Sequence, residues 1–128
     1  MSLSNSDIEA LAKKLKMKYF RGASMRDTLP GWVKSRECGI VNLDSIQNSG
    51  THWTCYYRNK NKKYYFDSFG LDPPWELQKY LGKGITISTF KVQEFNTEYC
   101  GQLCIIVLYL LNKNYKFEEI IVKVLLKI

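Results

Sequence analysis

His52 is the only histidine among 128 residues. It stands in Gly50-Thr51-His52-Trp53, where turn residues give way to a β-prone stretch. An imidazole held at such a junction can take or give a proton near neutral pH. Taken alone, it reads better as a partly exposed surface histidine. Asp67 follows the next β-prone stretch, in Phe66-Asp67-Ser68-Phe69-Gly70. If the two stretches pair as a hairpin, the start of one lies beside the end of the other. His52 and Asp67 then become neighbours, and the carboxylate can accept the imidazole Nδ1 proton and fix its tautomer. The competing reading is a turn aspartate bonded to its own backbone.

A thiol and an amide complete the set. Cys100 precedes Gly101 where a strongly apolar helix begins. The free amides and dipole of a helix N-terminus favour a thiolate. Gly101 is expected to leave room for a substrate. The competing reading of Cys100 is a small core cysteine, a role assigned here to Cys104, one helical turn deeper. Gln93, seven residues before Cys100, can aim its carboxamide at the oxygen of an attacked carbonyl. With the Cys100 amide it would form an oxyanion hole, in which one donor contributes ~3 kcal/mol. Each signal is weak alone. The ordered set of His, Asp, Gln and Cys-Gly, each at an element boundary, describes nucleophilic acyl transfer.

The elements needed to position these groups can be read in outline. Asn5 or Ser6 caps a first helix reaching about Lys16, with Ile8, Leu11, Ala12 and Leu15 on one face. A loop containing Gly22, Pro30 and Gly31 follows. Cys38–Leu43 reads as a short buried strand. Thr51–Tyr57 and Lys63–Phe66 read as a hairpin around the polar tip Arg58–Lys62. Trp75–Leu81 predicts a short helix with Pro73 or Pro74 in its first turn and Gly82 and Gly84 at its end. Ile85–Val92 predicts a third long strand, Cys100–Leu111 a buried helix and Phe117–Leu126 an amphipathic one. Helices segregated around a small antiparallel sheet define an α+β class. Phe69, Trp75 and Tyr80 are read as core residues, with an exposed aromatic patch as the alternative.

The composition, 45% hydrophobic and 24% charged, suits a single domain over residues 1–128. It excludes a disordered tail, a collagen-like chain and a coiled coil. The apolar run Leu103–Leu111 is far below the ~20 residues of a bilayer span, so no membrane partner is expected. Asp7, Glu9, Lys13 and Lys14 interrupt any secretory core, and an intracellular location is expected. Nineteen Lys and Arg against twelve Asp and Glu give a net charge of +7. That permits nonspecific DNA binding and equally describes a lysine-rich surface. His52, Cys55, Cys100 and Cys104 have spacings of zinc-ligand order. Strand geometry sends His52 and Cys55 to opposite faces, so no metal is expected.

The ordered residues resemble the adenovirus-type maturation proteases (the adenain family), in the clan that includes the SUMO-deconjugating proteases. The matching pieces are Leu29-Pro30-Gly31-Trp32-Val33, Gly39-Ile40-Val41-Asn42 and Gly50-Thr51-His52-Trp53. They continue with Asp67-Ser68-Phe69-Gly70 and with Gln93 through Cys100-Gly101-Gln102-Leu103-Cys104. The seven-residue step from Gln93 to Cys100 is adenain-like. The resemblance implies a papain-like cysteine protease of adenain type. In it Cys100 is the nucleophile, His52 the general base, Asp67 its orienting group and Gln93 an oxyanion donor. Trp53 would wall the substrate cleft beside His52, with Gly101 also at the cleft.

It further implies cleavage after small, glycine-containing sites in capsid and core precursors, in the host cytoplasm or nucleus and in the virion. No cofactor is required, with DNA or a peptide as an activator. The family's disulfide-tethered peptide is not expected, because the matching region reads Gly82-Lys83-Gly84. Two alternatives share the fold. One is a deconjugase for ubiquitin-like modifiers, and the other a catalytically inactive protein that binds nucleic acid or capsid.

Overall fold

A computed structural model describes residues 3–44, 52–88 and 99–127, with side chains as far as Val124. In chain order the described elements are α1 (Asn5–Lys14), β1 (Phe20–Met25), β2 (Arg36–Asn42), β3 (Trp53–Asn59) and β4 (Lys62–Phe66). They continue with α2 (Trp75–Leu81), β5 (Ile85–Ile87), α3 (Cys100–Asn112) and α4 (Phe117–Lys127). The five strands form one sheet in the order β1-β2-β3-β4-β5. The class is α+β, as expected.

The sheet is mixed rather than antiparallel. β2, β3 and β4 run antiparallel, but β1 lies parallel to β2 and β5 parallel to β4. Parallel neighbours need a crossover connection, and each outer strand has one. Residues 26–35 return the chain from β1 to β2, and α2 lies between β4 and β5. The sequence hides β1 because Gly22 interrupts it at φ +121, where the register slips between Phe20 and Ala23. Glycine inside a strand commonly marks such a bulge.

Local chemistry shifts several boundaries. Ser4, not Asn5 or Ser6, caps α1 through a capping box closed by Asp7. The helix stops at Lys14, and Lys16 turns the chain with φ 54. The hairpin strands run deeper into the tip than expected, pairing Asn59 with Lys62 around Lys60 at φ 58. Pro74 is the N-cap of α2, and Gly82 ends it at φ 80. Of the expected Ile85–Val92 strand, Ile85–Ile87 form β5, Ser88 lies just past it, and residues 89–92 lie outside the described residues.

The pleat divides the core in two. Cys38 and Ile40 of β2 and Trp53, Cys55 and Tyr57 of β3 face α1, α3 and α4. Val41, Tyr56 and Tyr65 face the other way, with Leu77 and Leu81 of α2. Both faces of β3 are therefore covered, which is why Trp53 through Tyr57 are all buried. Eight residues of α3 are buried, including Cys100 and Cys104, so this helix forms the centre of one layer. Its N-terminus rests on the start of β3.

Candidate active site

The hairpin register sets the first pair. Cys55 lies opposite Phe66 in the β3–β4 ladder. Carrying that register three residues onward places Phe69 opposite His52. The two rings stack with centroids 4.4 Å apart and planes 8° from parallel. Asp67, just past the end of β4, then meets the ring edge. Its Oδ1 lies 2.6 Å from His52 Nε2 and also accepts the Phe69 amide at 3.0 Å. Asp67 is fully buried and His52 only 6% exposed. The aspartate thus bonds the imidazole and its own turn together.

One expectation needs correction. The imidazole nitrogen engaged by Asp67 is Nε2, not Nδ1. The ring is held by Phe69, and the β4 turn delivers the carboxylate to the Nε2 edge. Nδ1 is left buried, with no hydrogen bond of ordinary geometry among the described residues.

Helix α3 supplies the thiol. Cys100 is its first residue, and Tyr99 caps the helix without a side-chain hydrogen bond. The first-turn amides of any helix lack intrahelical partners, so donors cluster around Cys100. The Trp53 amide donates to Cys100 Sγ at 3.2 Å, tying the nucleophile candidate to the residue after His52. That donor suits a sulfur carrying negative charge. Burial alone would lower the His52 pKa. Hydrogen bonding with Asp67 and then Cys100, reinforced by their charges, outweighs burial and raises it from 6.5 to about 9. The imidazole therefore holds its proton at neutral pH.

Cys104 contrasts with Cys100. Complete burial, and then its neighbour Cys55, push its thiol well above the ordinary range. Among the described residues, no group of three His, Cys, Asp or Glu side chains is arranged to hold a metal ion.

The two cleft candidates occupy a different place from the one expected. Trp53 is buried, and its Nε1 donates to the Leu3 carbonyl at 3.0 Å. A Cβ on Gly101 would stand 3.2 Å from Trp53 Cδ1 and 3.3 Å from Leu3 Cβ. The space left by the missing side chain is therefore filled by the indole and by Leu3, not held open for a ligand. Glycine at this position lets α3 settle on β3. Gln93 lies outside the described residues.

Sequence reasoning did not assign Phe69, the Trp53 amide or Leu3 to this site. Phe69 was open to discovery from the hairpin register alone. The amide carries no sequence signal, and Leu3 lies far from the motifs.

No protein-family model matches the chain. No curated protein matches it either. Solved structures with the same fold include two crystal structures of the ASFV pS273R protease. One matches with a TM-score of 0.61 at 15% identity, covering 94% of this chain and 61% of that one. Its selenomethionine form matches with a TM-score of 0.54 at 17% identity, covering 68% of this chain and 38% of that one. The α+β fold is thus one found in a viral protease. The chain spans 61% or less of the length of these structures.

Proposed function

We propose that the protein is a viral-type cysteine endopeptidase, with Cys100 as nucleophile, His52 as proton carrier, Asp67 as its orienting group and Gln93 as an oxyanion donor. The observation that carries this reading is the arrangement at the start of β3. There Asp67 holds His52 at 2.6 Å, and the next residue's amide holds Cys100 Sγ at 3.2 Å. A papain-like reaction follows from those parts. The Cys100 thiolate attacks the scissile carbonyl carbon, and the carbonyl oxygen takes the negative charge. As the C–N bond breaks, protonated His52 gives its proton to the leaving amine. Water then attacks the thioester while His52 accepts a water proton, releasing the acid and restoring the pair.

The resemblance of the motifs supports capsid and core precursors as substrates, cut after small glycine-containing sites, in host cell and virion. It also supports DNA or a peptide as an activator. The electrophilic probe that tests the site is a peptide vinyl sulfone ending in Gly-Gly. Intact-mass analysis and peptide mapping should find one adduct, on Cys100, and His52→Ala should slow its formation strongly. An adduct on Cys55 or Cys104, or a rate indifferent to His52→Ala, would sink the proposal.

A further inference from the structure

A second feature lies at the other end of α3. Twelve residues separate Cys100 from Asn112, about 18 Å along a helix axis. A recess of about 420 Å³ opens there. Three segments wall it: the turn after α1 at residues 15–19, Arg36 at the start of β2, and the end of α3 with its following turn. Four lining residues are cations, namely Lys16, Lys18, Arg36 and Lys113, and none is a carboxylate.

Two of these cations are held in place. The Arg36 guanidinium lies 4.4 Å from the Tyr19 ring centroid, and Lys113 Nζ lies 5.5 Å from that of Tyr109. The guanidinium also bonds Tyr57 and, through Nη1, the Tyr19 hydroxyl at 3.4 Å, while its Nε is buried with no hydrogen-bond partner among the described residues. Lys16 and Asn114 close the C-termini of α1 and α3 with left-handed φ values of 54 and 69, and Tyr19 has φ 67.

Lysines beyond helix C-termini often answer orphan carbonyls and the helix dipole. Here the backbone already serves those carbonyls. Lys16 N bonds Lys13 O, Met17 N bonds Ala12 O, Lys113 N bonds Tyr109 O and Tyr115 N bonds Leu110 O. Lys18 and Arg36 lie at no helix end. Four like charges around one concavity repel one another, and a multivalent anion would relieve that repulsion.

We infer that this recess binds a compact anion bearing several phosphate groups. The four cations line one open recess whose volume lies within the range of small-molecule sites. That geometry favours a small polyphosphate over a nucleic-acid backbone.

Calorimetry with sodium tripolyphosphate, on the 128-residue chain at about 0.15 M salt, tests the assignment. One tripolyphosphate per chain is expected. Lys16→Gln with Lys113→Gln should weaken binding at least about tenfold, as loss of a charge-assisted contact does. Arg36→Gln should weaken it separately. Lys62→Gln with Lys79→Gln removes the same charge from exposed positions elsewhere and should change binding less than about twofold. Thermal midpoints without ligand establish that each variant is folded. Equal losses in both lysine pairs, or no saturable binding, would overturn the site. So would a short single-stranded oligonucleotide that binds more tightly and displaces tripolyphosphate, because the surface would then be one for nucleic acid.

Discussion

Two fully buried carboxylates, one on β2 and one just past β4, differ in how completely they are satisfied. Glu37 on β2 collects four donors. Oε1 accepts Arg21 Nη1 at 2.9 Å and the Lys34 amide at 2.6 Å, and Oε2 accepts the hydroxyls of Tyr56 at 2.5 Å and Tyr80 at 2.8 Å. Burial, and then Glu37, hold the Tyr56 hydroxyl protonated far above its ordinary range. Asp67, beyond β4, uses Oδ1 for His52 and the Phe69 amide, while Oδ2 is buried with no partner among the described residues. The other hydrogen bond to the His52 ring comes from Cys100. A closed network fixes a fold. Unmatched buried polar atoms are costly, and they collect where a reaction will use them. On this contrast Glu37 is structural, whereas Asp67 and His52 fit the proposed chemistry.

Removing the reacting groups should produce the largest effect. Cys100→Ala and His52→Ala should each lower turnover by about three or more powers of ten, as in enzymes whose residues act as one unit. Cys100→Ala should leave the thermal midpoint nearly unchanged, whereas His52→Ala also strips the buried Asp67 of its partner and should lower it. Cys104→Ala should do the reverse, costing stability through a core cavity while turnover persists. Progress curves on a fluorogenic peptide, beside thermal melts of the same preparations, separate the two patterns. A dead Cys104→Ala enzyme with an active Cys100→Ala one would invert the assignment.

Asp67→Asn should come next. It retains the side-chain shape and weakens the hold on Nε2, so turnover should fall by about two powers of ten or more without unfolding. The pH–rate profile distinguishes a positioning role from a merely structural one. Its basic limb should move toward lower pH, because the His52 proton is held partly by Asp67. An unmoved profile would make Asp67 a packing residue like any other.

Breaking the closed network should act on stability instead. Glu37→Gln strips the charge from four donors, and Tyr56→Phe removes one of them. Each should cost about 1–3 kcal/mol in urea unfolding while kcat/KM per folded molecule stays constant. Gly39 makes the same region intolerant of added bulk. A Cβ there would stand 2.7 Å from the Tyr56 ring, which its bond to Glu37 keeps in place.

The same contrast explains what could be read from the residues. The hairpin and the meeting of His52 with Asp67 were legible because β-prone runs and a polar tip encode register locally. The start of α3 at Cys100 was legible because apolar periodicity changes there. The bulged strand β1 was not, since Gly22 disguises it and its partner β2 begins eleven residues after β1 ends. The Glu37 network was also illegible, because its donors come from β1, the loop after it, β3 and α2. Nor could sequence decide which imidazole nitrogen Asp67 takes, a choice made by ring stacking. Gly101 misled for a related reason. A missing side chain signals close approach without saying whether ligand or protein fills the space.

The same contrast predicts a pH dependence of stability carried by His52. Its pKa is raised from 6.5 to about 9 in the folded chain. Between those values the folded state binds a proton that the unfolded state has released. Stability from this group should therefore be complete below about pH 6.5 and fade as the pH rises to about 9. Urea unfolding at several pH values should show His52→Gln losing that slope. Glu37→Gln should keep it, displaced downward by a constant amount. If the gap between wild type and His52→Gln is the same at both ends of the window, the imidazole is not held protonated. The distinction between a satisfied carboxylate and a poised one would then lose its electrostatic basis.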